Sequence, residues 1–223
     1  MKISRRSSFP FFYAAAGMIV SGPAMAFSLP KIGGSSGGGA DLGSIKKLLA
    51  AAARADAQMT AYFLIALGRK DEADMFSAAS QAMSEDTVDA EYDKLNKLKD
   101  EHPMKADDLG NFESNAETNA ALAAGNAMGS VALMNYVFVL PQLAGAISAI
   151  KGDPMLLMKN TDLIATLANA VTAIPSGIST ITEMVKVSSA ISAKNNIPIK
   201  SKEEIAELSG SIGGTADTKG LPE

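Results

Sequence analysis

VALMNYVFVLPQLAGAISAI, residues 131–150, runs for 20 positions without a charge. As a helix it has the length of a bilayer's hydrocarbon core, which takes about 20 apolar residues. It has equally the makings of the dry centre of a helical bundle. Its mean hydropathy, about 1.7, is near the level at which spanning segments begin to be assigned. Leu133, Val137, Leu140, Ala144 and Ile147 lie on one side of such a helix, and Val131, Met134 and Phe138 on another. A helix apolar on almost every side must be enclosed, by protein or by lipid. Three residues oppose a simple span. Asn135 and Gln142 share a face, and Pro141 deprives the carbonyl of Val137 of its helical donor. An unsatisfied polar group in a dry medium costs about 2–7 kcal/mol, so each of the three needs a partner. A neighbouring helix can supply one in lipid as well as in water.

Around this stretch the absence of charge extends further. Glu117 and Lys151 bracket 33 uncharged residues, Lys151-Gly152-Asp153-Pro154 makes a tight break, and Leu163–Thr182 adds a second uncharged run of 20. In that second run Ile164, Leu167, Val171, Ile174, Ile178, Ile181 and Val185 alternate steps of three and four. This heptad phase is a helix-packing seam. It continues through Pro175-Ser176-Gly177, which predicts a kink or a very short break there. The other faces carry polar but uncharged residues: Thr166, Asn169, Thr172, Ser176, Ser179, Thr180 and Thr182. Upstream, Ala121, Gly125 and Gly129 line one helical face in G-x-x-x-G spacing, which permits close backbone contact. Alanine-rich soluble bundles use small residues in the same way, and that version is preferred here. In outline, residues 113–193 resemble the hydrophobic helical hairpin of some α-helical pore-forming toxins, without a shared residue motif. That resemblance implies a hairpin buried in a soluble form and exposed on insertion.

The remaining segments are helical and more polar. Asp41 is placed to cap a helix whose stripe is Ile45, Leu48, Ala52, Ala55, Met59, Tyr62 and Ala66, ended by Gly68. Asp71 opens a second helix to about Ser84, with Met75, Ala79 and Ala82 or Met83 facing inward. A third starts near Asp86 or Thr87, with Val88, Tyr92, Leu95 and Leu98 on its apolar side, and His102-Pro103 stops it. Residues 103–112 form a loop, and the fourth helix begins near Glu113. Ser201 and Glu204 form a capping-box pair for a short last helix, about 202–209, before a loose tail. No run alternates with period two for long enough to suggest a sheet.

At the N-terminus Lys2, Arg5 and Arg6 precede a 12-residue apolar run, Phe9–Val20, and Ala24 and Ala26 stand at −3 and −1 of a cut before Phe27. This is the layout of a secretory signal peptide, with an apolar run too short for a comfortable span. Arg5-Arg6 also hints at a twin-arginine route, although Phe9 stands one place later than such a signal puts it. Cleavage removes three positive charges and takes the net charge from −4 to −7. So acidic a chain, with no basic cluster, is a poor ligand for polyanions.

Candidate chemistry is sparse. There is no cysteine, which excludes disulfides, thiol catalysis, thiolate metal sites and a lipidated N-terminal Cys. Gly33-Gly34-Ser35-Ser36-Gly37 matches G-x-S-x-G, but a Gly/Ser linker surrounds it and no strand precedes it. His102 is the only histidine, and at the end of a charged helix it serves the helix terminus. Glu85, Asp86, Asp89, Glu91 and Asp93 lack the glycine turn and terminal glutamate of an EF-hand and form a solvated face.

The sequence therefore predicts an all-α single bundle of about five to seven helices with a long central apolar hairpin. It divides into a secretory signal peptide (1–26), a Gly/Ser-rich flexible lead (27–40), the helical bundle (41–196) and a short helix with a loose tail (197–223). The expected function is a non-catalytic binding, scaffolding or interaction role for an exported soluble bundle in the cell envelope, in the periplasm or outside the cell. The alternative is a membrane-active protein using the hairpin 113–193. No catalytic, cofactor-binding or metal-binding residue is expected. The expected partners are another protein or a second copy, and a membrane through 131–150, but not nucleic acid.

Overall fold

The computed structural model describes residues 42–152, 161–218 and 221. The signal peptide and its cut, the Gly/Ser segment 27–40, the cap Asp41 and the turn residues Asp153 and Pro154 lie outside them. Among the described residues there are six α-helices, one 3-10 helix and no strand. The helices are α1 (Leu42–Ala66), α2 (Lys70–Ala82), α3 (Val88–Glu101), the 3-10 helix (Ala106–Asn111), α4 (Ala116–Gly152), α5 (Thr161–Lys194) and α6 (Lys202–Ser211). The protein is an all-α helical bundle with two long apolar helices.

Local chemistry sets the helix ends. Gly68 sits at φ +76°, where α1 closes with bonds from Gly68 N to Ile65 O (3.0 Å) and Arg69 N to Leu64 O (2.8 Å). This paired termination needs a left-handed residue, which glycine adopts without a Cβ penalty. The same pair of bonds ends α5 at Asn196 (φ +54°) and α6 at Gly213 (φ +79°). Asn115 starts α4 by accepting from the amides of Glu117 (2.9 Å) and Thr118 (3.0 Å). The sequence-predicted box on α6 is present: Ser201 Oγ accepts from Glu204 N, and the Glu204 carboxylate accepts from Ser201 N.

Helix α1 is the bed of the bundle. Its stripe Ile45, Ala52, Ala55, Met59 and Ala66 is buried, and so are Ala51, Ala53 and Ala57 beside it. An alanine-rich helix lets neighbours approach on several sides at once. α4 lies antiparallel against α1: Gly125 faces the ring of Phe63, Gly129 faces Met59, and Tyr136 reaches Asp56. α5 returns antiparallel to α4, with Val185 over Gly129 and Ser188 beside Asn126. The G-x-x-x-G pair thus packs α1 and α5 onto α4 inside the bundle. α2 and α3 cover the other sides of α1, tied by Arg54 to the Met83 carbonyl (Nε, 3.2 Å) and by the Lys46–Asp89 ion pair.

Two expectations change. On α2 the inward residues are Ala73, Phe76 and Ser80, followed by Met83, while Met75 is 46% exposed and Ala82 is exposed. The aromatic ring has more apolar area to bury than the thioether, and the helix turns to bury it. Of the kink or very short break expected at Pro175-Ser176-Gly177, the break is absent: the second apolar segment is one helix from Thr161 to Lys194, with the proline on its exposed side. The seam holds: Leu167, Ile174, Ile178 and Ile181 are buried.

Candidate functional site

His102 Nδ1 lies 3.2 Å from Glu72 Oε2, and Arg69 Nε donates to Glu72 Oε1 at 2.7 Å. The hydrogen bond from Arg69, reinforced by His102, holds the Glu72 carboxyl below the usual carboxylate range. The cluster ties the α1–α2 turn to the end of α3 and has no nucleophile in it. Of the acids at and before the start of α3, Asp89 pairs with Lys46 and Glu91 with Lys94, while Glu85 and Asp86, in the turn before the helix, are exposed. Among the described residues no three His, Cys, Asp or Glu side chains gather as a metal site. Gly33–Gly37 lies outside the described residues. A depression of about 460 Å³, open to solvent, lies between Asp93, Asn96, Lys97 and Asp100 of α3 and Asn169, Thr172 and Ala173 of α5.

One buried charge lies in the core. Asp56 of α1 is 1% exposed, and its Oδ2 accepts from Lys99 of α3 and from the Tyr136 hydroxyl of α4 (3.1 Å). Burial, then the Asp56 charge, raises the hydroxyl pKa of Tyr136 and of its neighbour Tyr92 well above the ordinary tyrosine value. Both tyrosines therefore stay neutral donors. Asp56 Oδ1 is buried without a hydrogen-bond partner among the described residues. This node joins three helices through one buried carboxylate. A lone acid in the alanine run AAAARADAQM was the available sequence signal, but its partners stand 43 and 80 residues away.

The opening stretch divides in two. Val131 to Tyr136 are all buried, at most 3% exposed, and 13 of the 16 residues from Ala121 to Tyr136 are buried. That part of α4 is enclosed on all sides. From Val137 onward only Val139, Leu143, Ala146 and Ile150 are buried, a single face, while Phe138, Pro141, Ala144, Gly145 and Ser148 are exposed. The C-terminal segment is bonded to α4 just before the division. Asn135, fully buried, donates to the Val131 carbonyl (2.8 Å) and to Ser209 Oγ of α6 (2.9 Å), and its Oδ1 accepts from Thr215 N (2.8 Å). A Cβ on Gly214 would stand 2.4 Å from Asn135 Oδ1 and from Ser209 Oγ, so only glycine fits. Gln142 instead bonds back to the carbonyl of Phe138 at 3.2 Å. Pro141 is on the exposed side, where water reaches the carbonyl it frees.

Beside the exposed part of α4, α5 presents Ala165, Ala168, Thr172, Pro175, Ser176 and Ser179, all exposed and uncharged. Among the described residues of the hairpin's far half, these exposed positions of α4 and α5 are uncharged, and Thr172 also lines the depression beside Asp93 and Lys97 of α3. Both helices are long and apolar enough to cross a membrane: the 18-residue window within Ala116–Ser148 has mean hydropathy 1.5 with half of it buried, and that within Ile164–Lys194 has 1.3 with a third buried. No family model, curated protein or solved structure matches this chain.

Proposed function

We propose that the protein acts by binding rather than catalysis, as an exported helical bundle of the cell envelope whose working surface is the charge-free face of the α4–α5 hairpin. The observation that carries this is the exposure of Phe138, Pro141, Ala144 and Gly145 on α4 beside Ala168, Thr172 and Ser176 on α5, with no charged residue among them. Interface cores are depleted of charge, because a charge must be desolvated to be covered. Small side chains let a partner helix approach closely. The signal-peptide layout of residues 1–26 supports export of this surface from the cytoplasm. A photoreactive residue at Ala168, set against one at Lys97 on α3, tests the reading in living cells. Adducts are expected at Ala168 only, and equal labelling at both positions would sink it. N-terminal sequencing of the protein from a periplasmic or extracellular fraction should begin at Phe27.

The limited burial of the α5 window, a third of it, and its hydropathy favour a second reading, insertion of the hairpin into a bilayer. Dye release from liposomes that is lost in Phe138→Asp would favour insertion over protein docking. No release across pH and lipid composition would remove it.

A further inference from the structure

We propose that two copies of this chain exchange their C-terminal segments, residues 197–215 of each closing over α4 of the other. The lock is specific. Of the three hydrogen bonds at Asn135, one stays within α4 and two are made to the segment, by Ser209 Oγ and Thr215 N. Gly214 seats against the amide where no larger residue fits. If the segment leaves, Asn135 is stranded among Val131, Met134 and Tyr136, so the open chain is strongly disfavoured. The segment can leave only when something with the same register of Ser209, Gly214 and Thr215 replaces it, and a second copy carries that register.

The segment's other hold on its own chain is apolar: Ile197 and Ile205 are buried in the core, with Leu208 and Ile212 packed against it. Among the described residues no ion pair runs from α6 to helices α1–α5, and the pair Lys200–Glu204 lies within the segment itself. The connection from α5 is short and constrained. Asn196 is held at φ +54°, the only positive φ outside glycine among the described residues, and Pro198 follows two residues later. A short hinge under strain favours exchange, since the opened connection can leave the left-handed geometry. Closed monomer and exchanged dimer make the same bonds at Asn135, so concentration and hinge length set the balance. This inference stands apart from the hairpin-face reading, because the contacts it invokes are made at Asn135.

The test mixes isotopically heavy and light copies of the chain at equal concentration and cross-links lysines. Lys47, whose side chain lies against Gly213, reports on Lys202 of the segment. In the dimer fraction about half of the Lys47–Lys202 links should join heavy to light, as random pairing in a symmetric exchanged dimer requires. The monomer fraction should give same-isotope links alone. Deleting Pro198 and Ile199 should raise the dimer share, since the shortened hinge cannot fold back. Links that are same-isotope at every concentration overturn the proposal. So does a hinge-shortened chain that stays monomeric with its α6 amides protected. A dimer lost on placing a charge at Ala168, with no mixed links, would support the hairpin-face reading and still overturn this one. Should the shortened chain lose helicity, the isotope mixture of the unaltered chain decides alone.

Discussion

Three glycines on α4 receive the same substitution and should respond with opposite signs. Glycine to alanine in a helix interior gains about 1 kcal/mol from propensity alone. At Gly145 nothing lies within 4 Å of the added Cβ, so Gly145→Ala should realise most of that gain. At Gly129 the Cβ would stand 2.5 Å from Val185 Cγ2 and 3.0 Å from Met59 Sδ. Carbon contacts rest at about 3.5–4.0 Å, so Val185 must yield by about 1 Å, and its branched side chain has little freedom to turn away. At Gly125 the Cβ would meet the Phe63 ring at 2.5 and 2.6 Å, and Phe63 is 0% exposed with nowhere to move. Overpacking of this kind costs about 1–3 kcal/mol. After the propensity gain, Gly129→Ala should lose about 1 kcal/mol and Gly125→Ala about 1–2 kcal/mol. In a chain of this size that lowers Tm by about 2–4 °C per kcal/mol. Gly125→Ala presses on α1 through Phe63 and Gly129→Ala chiefly on α5 through Val185, with Met59 of α1 as the shared neighbour, so the double variant should fall only slightly short of their sum. Urea unfolding followed by far-UV circular dichroism measures all four. Gly125→Ala as stable as Gly145→Ala would refute the seating of α1 on the glycine ridge.

Asp56→Ala should cost about 2–3 kcal/mol in the same urea assay, because Tyr136 is left with a buried hydroxyl lacking its acceptor, while Lys99 can turn to water. Asp56→Asn keeps an acceptor and should cost less; equal losses would show that the charge rather than the acceptor matters. Asn135→Leu should leave helicity largely intact but expose the 196–201 connection to limited proteolysis, since Ser209 and Thr215 lose their partner; unchanged protection would refute the lock. Acidification provides the fourth test. Glu72 and Glu204 are held below their ordinary value of 4.5, Glu72 chiefly by the hydrogen bond from Arg69 and Glu204 by that from the Ser201 amide. The folded state then binds fewer protons than the unfolded one around that value, so their contribution is complete above it and fades as pH falls towards the depressed values. Thermal melts from about pH 7 to about pH 3 should show a loss that is shallower in Glu72→Gln.

What the sequence made legible was local. The α1 stripe, the Gly68 terminator, the Ser201–Glu204 box and the α5 seam are each decided by residues within two turns of one another. The face of α2 was not legible. In 13 residues Ala73, Met75, Phe76, Ala79 and Ala82 allow more than one apolar side, and only the core's shape selects Phe76. Asn135 announced its need for a partner, yet the partners lie 74 and 80 residues further on, in a Gly/Ser/Thr-rich stretch whose composition resembles any solvated tail. The small residues there are required for another reason. Gly213 ends α6 in left-handed geometry and Gly214 fits where no Cβ can. The Asp56 node was hidden for the same cause, since ion pairs across 43 residues leave no periodic trace.

Hydropathy cannot tell lipid tails from leucine side chains, because both are dry and uncharged; polar groups make the distinction. Two asparagines stand in the buried half of α4, nine residues apart and so on opposite sides of the helix. Asn126 donates to Ser188 Oγ (2.9 Å) and Ser189 Oγ (2.8 Å) of α5, and Asn135 bonds to Ser209 and Thr215 beyond it. Each amide fixes one neighbour in register, and together they require protein on both sides of α4, at levels about 13 Å apart along it. Beyond Asn135 no such amide binds a second helix; Gln142 turns back on its own, and there the cover stops. Polar satisfaction and the loss of cover change at the same residue. The far half of the hairpin is thus left free for a partner by the same arrangement that encloses the near half.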